Sequence, residues 1–402
     1  MTTQAPHTEA ARLAALMIAA FVDTLGAFLV LALLPFYAQE LGASALEVGA
    51  LVAAFAVAQT ASVPFWGRAS DRFGRRPVIL LGLVIASGGY LAFAFASSLE
   101  ALLLSRLAQG LGGGTVAAVF AYVADVVPAQ HRAERLGWLT AATSAAAMVG
   151  PLLGSFATRY DPSLPGLVVA GLGVIAVALA WWLLPEPIRP PQTSATERPS
   201  LFVALLHVLT RPAAAAHRLV WIYTLAMAAT QGTLGIAGLY LERRFGATEE
   251  TIWPFFTCLA LVSLLVRVVV LGPFVRRAGE LPVLRVGAFF LACGLLLLPI
   301  PDRALWILVP ISLIAAGTSF LYPCLTALVT RAVPDARETG QALGVQQAFG
   351  GCARIAGPIL AGGLFERVAP EAPFLAAAVL MAAVTALAVF GLGAGPRRAV
   401  VG

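Results

Sequence analysis

The chain has 402 residues, of which 60% are hydrophobic and 11% charged, with a mean hydropathy of +0.89 and a formal net charge of +6. Soluble domains usually have about a quarter of their residues charged, so this composition excludes an ordinary soluble globular protein. All 26 basic residues are arginine, which excludes a P-loop ATPase and Schiff-base catalysis, because both need lysine.

Twelve apolar runs are long enough to cross a bilayer, which takes about 20 helical residues. The first run follows a short polar segment and is too long for the apolar region of a signal peptide, so we expect it to be retained. The sequence therefore predicts an all-α membrane protein with twelve transmembrane helices, at 13–36, 46–66, 77–97, 100–122, 137–158, 164–184, 219–240, 252–273, 283–300, 304–326, 339–363 and 373–394.

The arginines predict how these spans are oriented. If the N-terminus is cytoplasmic, 18 arginines fall in cytoplasmic segments, five in external segments and three (Arg106, Arg267 and Arg354) inside spans. Basic residues concentrate on the cytoplasmic side of membrane proteins, so both termini are expected there. The basic excess thus reports topology, and no nucleic-acid partner is expected.

In span 1, Asp23 lies about 10 residues, or about 15 Å, from the cytoplasmic end, which is close to the middle of the bilayer. A charge at that depth costs a few kcal/mol or more unless it is paired or faces water. Asp23 is therefore a candidate functional residue.

Between spans 2 and 3, the ten residues at 67–76 carry four arginines in the pattern G-x-x-x-D-R-x-G-R-R. A small basic cluster between two apolar runs predicts a cytoplasmic loop. Gly67 is expected to permit a close helix approach, and Gly74 a tight turn that a Cβ would prevent. The other residues of interest in this segment are Asp71, Arg72, Arg75 and Arg76.

Spans 4 and 5 carry two further patterns. Arg106 lies in Leu102–Gly110, in the order l-x-x-x-R-x-x-q-G, and Asp125 follows at the end of span 4. Span 5 contains Gly150-Pro151-x-x-Gly154.

Together these patterns resemble the major facilitator superfamily of secondary transporters, and within it the twelve-helix drug:proton antiporters that include tetracycline exporters. Asp23, Gly26 and Pro35 also match the D-x-x-G…P spacing of helix 1 in those antiporters. The resemblance implies that the 67–76 loop gates the cytoplasmic side together with Asp125, and that Arg106 takes part in proton coupling. Gly150, Pro151 and Gly154 resemble the antiporter motif, from which the chain departs at Ala146 and Ser155.

The two halves align at an offset of 205 to 207 residues. Gly150-Pro151 matches Gly357-Pro358, and the 67–76 loop has an altered copy at 272–279 in which Arg276 replaces Asp71. An even number of helices in each half predicts a parallel pseudo-two-fold repeat of two six-helix bundles, at 1–184 and 219–402. Residues 185–218 are expected to form a cytoplasmic linker, in which 200–210 is either a surface helix or a plain tether.

In the second half, Arg267 is close enough to the cytoplasmic end of its span to reach headgroups, whereas Arg354 is too deep for that. Arg354, Gln231, Gln346 and Gln347 are candidates for a substrate cavity, although helix–helix hydrogen bonds would explain the glutamines equally well. The four histidines lie outside the spans and the four cysteines are widely separated. No metal site, cofactor or enzymatic motif is therefore predicted.

The sequence thus predicts a proton-coupled exporter of amphipathic small molecules in the inner membrane, expected to be monomeric, with protons, substrate and the lipid bilayer as its partners. Asp23 is the expected protonatable group, with Arg106 competing for it. Two alternatives stay open. Three deep arginines against one deep aspartate suit a carrier of organic anions, lipids or other metabolites, and a non-transporting membrane sensor is the third possibility.

Overall fold

The structure, a computed structural model, describes residues 9–187, 208, 215–332 and 336–391. The first six helices are α1 Glu9–Glu40, α2 Ala45–Phe73, α3 Arg75–Ala94, α4 in two segments (Leu99–Gly113 and Val116–Val126), α5 Ala129–Thr158 and α6 Leu164–Leu183. The next three are α7 Ala215–Phe245, α8 Trp253–Ala278 with a π-helical turn at Val266–Val270, and α9 Glu280–Leu297. The last three are α10 Leu308–Ala332 after a 3₁₀ turn at Ala304–Ile307, α11 Ala336–Arg367, and α12 Ala372–Ala386 followed by a π-helical turn at Leu387–Gly391.

Within the described residues, 12 helices are long and apolar enough to cross a membrane, in the order the sequence predicts. The prediction of an all-α protein with twelve spans is therefore confirmed. The 200–210 segment, predicted as a surface helix or tether, lies outside the described residues except for Val208, which is helical and buried.

Two differences from the predicted spans concern where a helix ends and where one is interrupted. The segment at 67–73, expected as loop, forms the last two turns of α2, and the helix ends only at Gly74, where φ is +107°. Charge does not stop a helix, whereas a positive φ does, and glycine adopts one without a Cβ clash. Helix α4 is interrupted at Gly114 and Thr115, after a glycine-rich run that has low helix propensity.

The chain forms two compact units. The first contains residues 1–194 and 237–257, and the second contains residues 195–236 and 258–402. The first unit therefore includes the end of α7, because Gly238 packs against Pro35 of α1, where an added Cβ would lie 2.8 Å from the proline ring. The bundle boundaries at 184 and 219 stay a prediction.

In the first unit, α1 packs on α5 and α6, α3 packs on α4 and α6, and α2 packs on α4. Glycine permits a close crossing between α1 and α5. A Cβ on Gly150 would lie 2.6 Å from the carbonyl oxygen of Leu25, and a Cβ on Gly154 would lie 2.9 Å from the Leu29 side chain. The predicted Gly150-Pro151-x-x-Gly154 pattern thus lies where α5 crosses α1.

The second unit repeats this packing. Helix α9 packs on α10 and α12, as α3 packs on α4 and α6 in the first unit. A Cβ on Gly357 of α11 would lie 2.5 Å from the carbonyl oxygen of Ala228 in α7. This crossing corresponds to that of Gly150, so the internal repeat read from the sequence is present in the packing of each unit.

Candidate functional site

Asp23 lies near the middle of α1, close to polar and small residues of α2, α3 and α4. Its side chain is half-buried, and a Cβ on Gly113 of α4 would lie 3.7 Å from the Asp23 Oδ1 atom and 3.3 Å from the Gln59 amide nitrogen. The backbone carbonyl of Asp23 accepts a hydrogen bond from the Tyr90 hydroxyl at 3.3 Å. Gly26, one turn further along α1, leaves room for the Tyr90 ring.

Among the described residues of the first unit, Arg106 is the most buried charged side chain, with 2% of its surface exposed. Its Nη1 atom donates to the Gln109 side-chain oxygen at 2.6 Å, and its guanidinium lies 4.7 Å from the centre of the Phe55 ring. The Arg106 Nε atom is buried without a hydrogen-bond partner among the described residues. A guanidinium in this position keeps its charge and is held by an amide and an aromatic face.

Asp23 and Arg106 form no ion pair among the described side chains, so the direct competition expected from the sequence is not seen. Tyr90 instead interacts electrostatically with both groups, and it is 2% exposed. Sequence analysis missed Tyr90, although a tyrosine in a predicted span is a usable signal, since its hydroxyl needs a partner in an apolar setting.

In the segment at 67–76, called the signature segment below, Arg75 at the start of α3 makes the most contacts with other charged and polar side chains. The Arg75 guanidinium lies 3.3 Å from Asp71 and 3.0 Å from Asp125, and it also donates to the buried Ser70 hydroxyl. One side chain therefore ties the end of α2 to the end of α4. The contact between Arg75 and Asp125 joins two residues that the sequence placed in one gating group.

Arg76, Arg72 and Gly67 do not take part in these contacts of Arg75. Arg76 donates to the Trp181 carbonyl oxygen at 2.5 Å and stacks 5.1 Å above the Trp181 ring, and Arg72 lies over Phe73. A Cβ on Gly67 would meet no atom within 4 Å. The close helix approach expected at Gly67 is therefore wrong, because this part of α2 faces open space.

Glu186, which sequence analysis missed, holds the first turn of α3. Its carboxylate accepts the backbone N–H groups of Arg75 at 2.7 Å and Arg76 at 3.0 Å. These N–H groups have no partner within the helix, and the positive end of the helix dipole favours a carboxylate there. Gly74 is required for this contact as well as for its φ, since a Cβ would overlap the Glu186 carboxylate.

The four predicted cavity residues of the second unit differ in burial and in their partners. Gln346 is fully buried, and neither atom of its amide has a hydrogen-bond partner among the described residues. Gln231 is half-buried, one position after Thr230 in α7, and Gln347 is exposed and hydrogen-bonds with the Tyr223 hydroxyl. Arg354 interacts electrostatically with Tyr223 and Tyr322, and its Nε atom is buried without a partner in the described part of the chain.

Tyr322 of α10 contacts polar side chains of α7 in the second unit. Its hydroxyl lies 2.6 Å from the Thr230 hydroxyl, and its ring packs edge-on against Tyr223, with ring centres 5.6 Å apart. Arg267, from the π-helical turn of α8, also interacts with Tyr322. Arg267 is exposed, so the expectation that it reaches headgroups stays a prediction.

The second unit also contains an ion pair between Glu280, at the start of α9, and Arg331, near the end of α10, with a separation of 2.5 Å. At the repeat offset, Glu280 corresponds to Arg75 and Arg331 to Asp125. The same two helix ends are thus joined in both units, with the charges exchanged.

The described residues contain no group of three or more His, Cys, Asp or Glu side chains that could hold a metal ion. The clusters can offer carboxylate, guanidinium, amide and hydroxyl groups. Such groups can bind a proton or a polar part of a ligand within a membrane span.

Comparison with known proteins places this arrangement in a family. The sequence profile of the Major Facilitator Superfamily matches residues 16–337. "Multidrug resistance protein 1" of Bacillus subtilis (strain 168) is 28% identical over 380 residues, covering 92% of this chain and 93% of that protein. "Tetracycline resistance protein, class B" of Escherichia coli is 27% identical over 363 residues and covers 88% of each chain.

Among solved structures, that of the human organic anion transporter MFSD10 (TETRAN) is similar, with a TM-score of 0.70 and 21% identity. The similarity covers 96% of this chain and all of that one. Likeness at this identity concerns the fold, and it agrees with the twelve-span architecture.

Proposed function

The chain belongs to the major facilitator superfamily of membrane transporters, and from this premise we propose that it exports amphipathic small molecules in exchange for protons. It is a multi-pass membrane protein, and its relatives at about 27% identity are multidrug and tetracycline resistance proteins. We place it in the inner membrane with both termini in the cytoplasm and, as a monomer, alternating between two states of access to one site.

The observation that carries the proposal is the setting of Asp23. It is the only carboxylate in the middle of a described span, it is half-buried, and no described cation lies within ion-pair distance of it. A carboxylate in this setting can gain and lose a proton during a cycle, since burial favours the neutral form and no counter-charge among the described side chains fixes the ionised one.

Tyr90 gives the proposal a mechanism for coupling. Protonation of Asp23 removes a negative charge beside Tyr90, which also interacts with Arg106 of α4. A change of charge on α1 can therefore alter the interactions between α1, α3 and α4, which are the helices that carry Asp23, Tyr90 and Arg106. In this proposal Arg106 acts on Asp23 through Tyr90.

The test uses Asp23→Asn in the full-length protein reconstituted into liposomes. With a pH gradient imposed, we expect uphill accumulation of a fluorescent dye substrate to be abolished, because the amide cannot carry a proton. Dye binding should stay within about twofold of the wild type, and a protonophore should abolish only the wild-type accumulation.

Glu40→Gln is the matched control, because Glu40 is an exposed carboxylate at the end of the same helix. It should transport as the wild type does. If Asp23→Asn still concentrates the dye against its gradient, Asp23 is structural and the coupling site lies elsewhere.

A further inference from the structure

The second unit contains a group of side chains that no motif accounts for. It consists of Tyr322 of α10, with Tyr223 and Thr230 of α7 in contact with it, and of Arg267 of α8 and Arg354 of α11, which both interact electrostatically with Tyr322. Four helices of one unit thus contribute to one cluster. At the repeat offset, the first unit has Ser62 and Ala147 in place of the two arginines, so the cluster does not come from the repeated scaffold.

Among the described residues, no carboxylate forms an ion pair with this cluster. Neither Arg267 nor Arg354 lies within ion-pair distance of a carboxylate among the described residues. The acidic residues in the described part of the second unit lie at helix ends and turns, namely Glu280, Asp302, Glu338, Glu366 and Glu371. Arginine stays charged at any accessible pH, so two positive charges need an anion or water near them.

The hydrogen-bond inventory also lacks an acceptor. The Thr230 hydroxyl lies 2.9 Å from the Ala226 carbonyl oxygen and 2.6 Å from the Tyr322 hydroxyl, and when it donates to the carbonyl, Tyr322 donates to Thr230. The buried Arg354 Nε atom has no acceptor among the described residues. An anion bound beside Arg354 would supply that acceptor together with the opposite charge.

The backbone at Arg267 supports a specific role for this side chain. Val266–Val270 is a π-helical turn within α8. An inserted π turn is less favourable than regular α-helix, and such turns occur often at functional sites, where they change the direction of a side chain. Here the turn contains Arg267, which interacts electrostatically with Tyr322.

From these observations we infer that Arg267, Arg354 and Tyr322 form a binding site for the anionic group of an amphipathic organic anion. The two guanidinium groups would bind a carboxylate, sulfonate or phosphate, and the edge-on pair of Tyr223 and Tyr322 would face its aromatic or apolar body. This inference rests on the proposed export function and names its substrate class, which is a soluble anion.

The test measures binding, which needs no proton gradient. The full chain is placed in nanodiscs of zwitterionic lipid and titrated with a fluorescein-type dicarboxylate dye and with a rhodamine-type ester cation of similar size. We expect Arg267→Gln and Arg354→Gln each to raise the Kd of the anionic dye about tenfold or more, since each removes a charged hydrogen-bond donor. The Kd of the cationic dye should change less than about twofold.

Three further variants make the result specific. Arg303→Gln removes an exposed arginine from the loop before α10 and should leave both Kd values unchanged. Arg354→Lys keeps the charge and should recover part of the lost affinity. Tyr322→Phe removes the acceptor that positions the guanidinium groups, and about a threefold loss for the anionic dye alone is expected.

Thermal unfolding without dye separates a binding role from a structural one. Removal of an uncompensated charge is expected to leave Tm unchanged or to raise it, whereas loss of a structural contact lowers it. The inference is overturned if the wild type does not bind the anionic dye, if both dyes lose affinity equally, or if the glutamine variants bind the anion normally.

Two outcomes distinguish this inference from a lipid-binding site and from the proposal of proton-coupled export. If, in a second set of discs that also contain phosphatidylglycerol, this anionic lipid occupies the site and the soluble dye does not displace it, the ligand is a lipid headgroup and the soluble-anion inference fails. If Asp23→Asn binds the anionic dye normally and the arginine variants do not, the anion site stands even where proton-driven export fails.

Discussion

At the scale of single residues, a few groups at the start of α3 determine the conformation of the signature segment. Gly74 supplies a positive φ and the space for the Glu186 carboxylate, which then binds two free N–H groups of the helix. Arg75, which follows directly, is thereby fixed in the position where it contacts Asp71 and Asp125. The charged pattern therefore depends on a residue more than a hundred positions away in the chain.

We expect Glu186→Ala to destabilise the protein by about 1 kcal/mol, because it removes a cap from the first turn of α3. Glu186→Gln should retain part of that stability, since an amide oxygen still accepts an N–H but carries no charge. The measurement is Tm in detergent, with Glu40→Ala as the exposed control. Equal Tm values for Glu186→Ala and the wild type would show that Glu186 does not support the helix.

At the scale of helices, glycine brings backbone close to backbone at one crossing in each unit. Gly150 of α5 meets the Leu25 carbonyl of α1, and Gly357 of α11 meets the Ala228 carbonyl of α7. Small residues allow this approach within a membrane, where helix association depends on van der Waals packing. The same crossing thus occurs in both units, between α1 and α5 and between α7 and α11. The repeated glycine-proline pairs in the sequence mark its position.

Gly150→Ala and Gly357→Ala are therefore each expected to destabilise the protein by about 1–3 kcal/mol, because the added methyl group forces the helices apart. Gly137→Ala is the matched control in α5, since a Cβ there meets no atom within 4 Å. It should be neutral or slightly stabilising, as alanine favours helix over glycine. Thermal unfolding of all three variants measures this, and equal losses at Gly137 and Gly150 would exclude the crossing as the cause.

The sequence predicted the spans, and it indicated several candidate site residues, because both depend on local signals. Hydropathy identifies each helix, and deep charges such as Asp23 and Arg106 stand out in an apolar run. The helical turns at 67–73 and the π turn at Arg267 were not predictable, since they depend on where Gly74 ends one helix and on how α8 packs. The partners of the charges, Tyr90 and Tyr322, come from other helices, so spacing along one helix could not identify them.

At the scale of the whole chain, the two units share a scaffold but differ in their deep charges. Asp23 and Arg106 correspond to the apolar Ala228 and Ile311 at an offset of 205, and the arginine pair of the second unit has no charged counterpart in the first. In the proposals above, the first unit therefore handles the proton and the second binds the anion. Such a division would let one scaffold couple two chemically different ligands.

The exchanged ion pairs permit a test of the repeat itself. Arg75 and Asp125 join the start of α3 to the end of α4, and Glu280 and Arg331 join the corresponding ends of α9 and α10 with opposite charges. If each pair serves to hold these ends together, only the opposition of charge matters. Glu280→Arg should then lower Tm and slow transport, because it places two positive charges side by side.

Combining Glu280→Arg with Arg331→Glu should restore most of both losses, since it gives the second unit the charge order of the first. Arg331 is 61% exposed, so the coupling measured in the double-mutant cycle should be small, about 0.5–1 kcal/mol. Glu280→Gln serves as the neutral control and should fall between the wild type and Glu280→Arg. A double variant as impaired as the single one would show that the order of the charges matters, and that the second unit needs a carboxylate specifically at the start of α9.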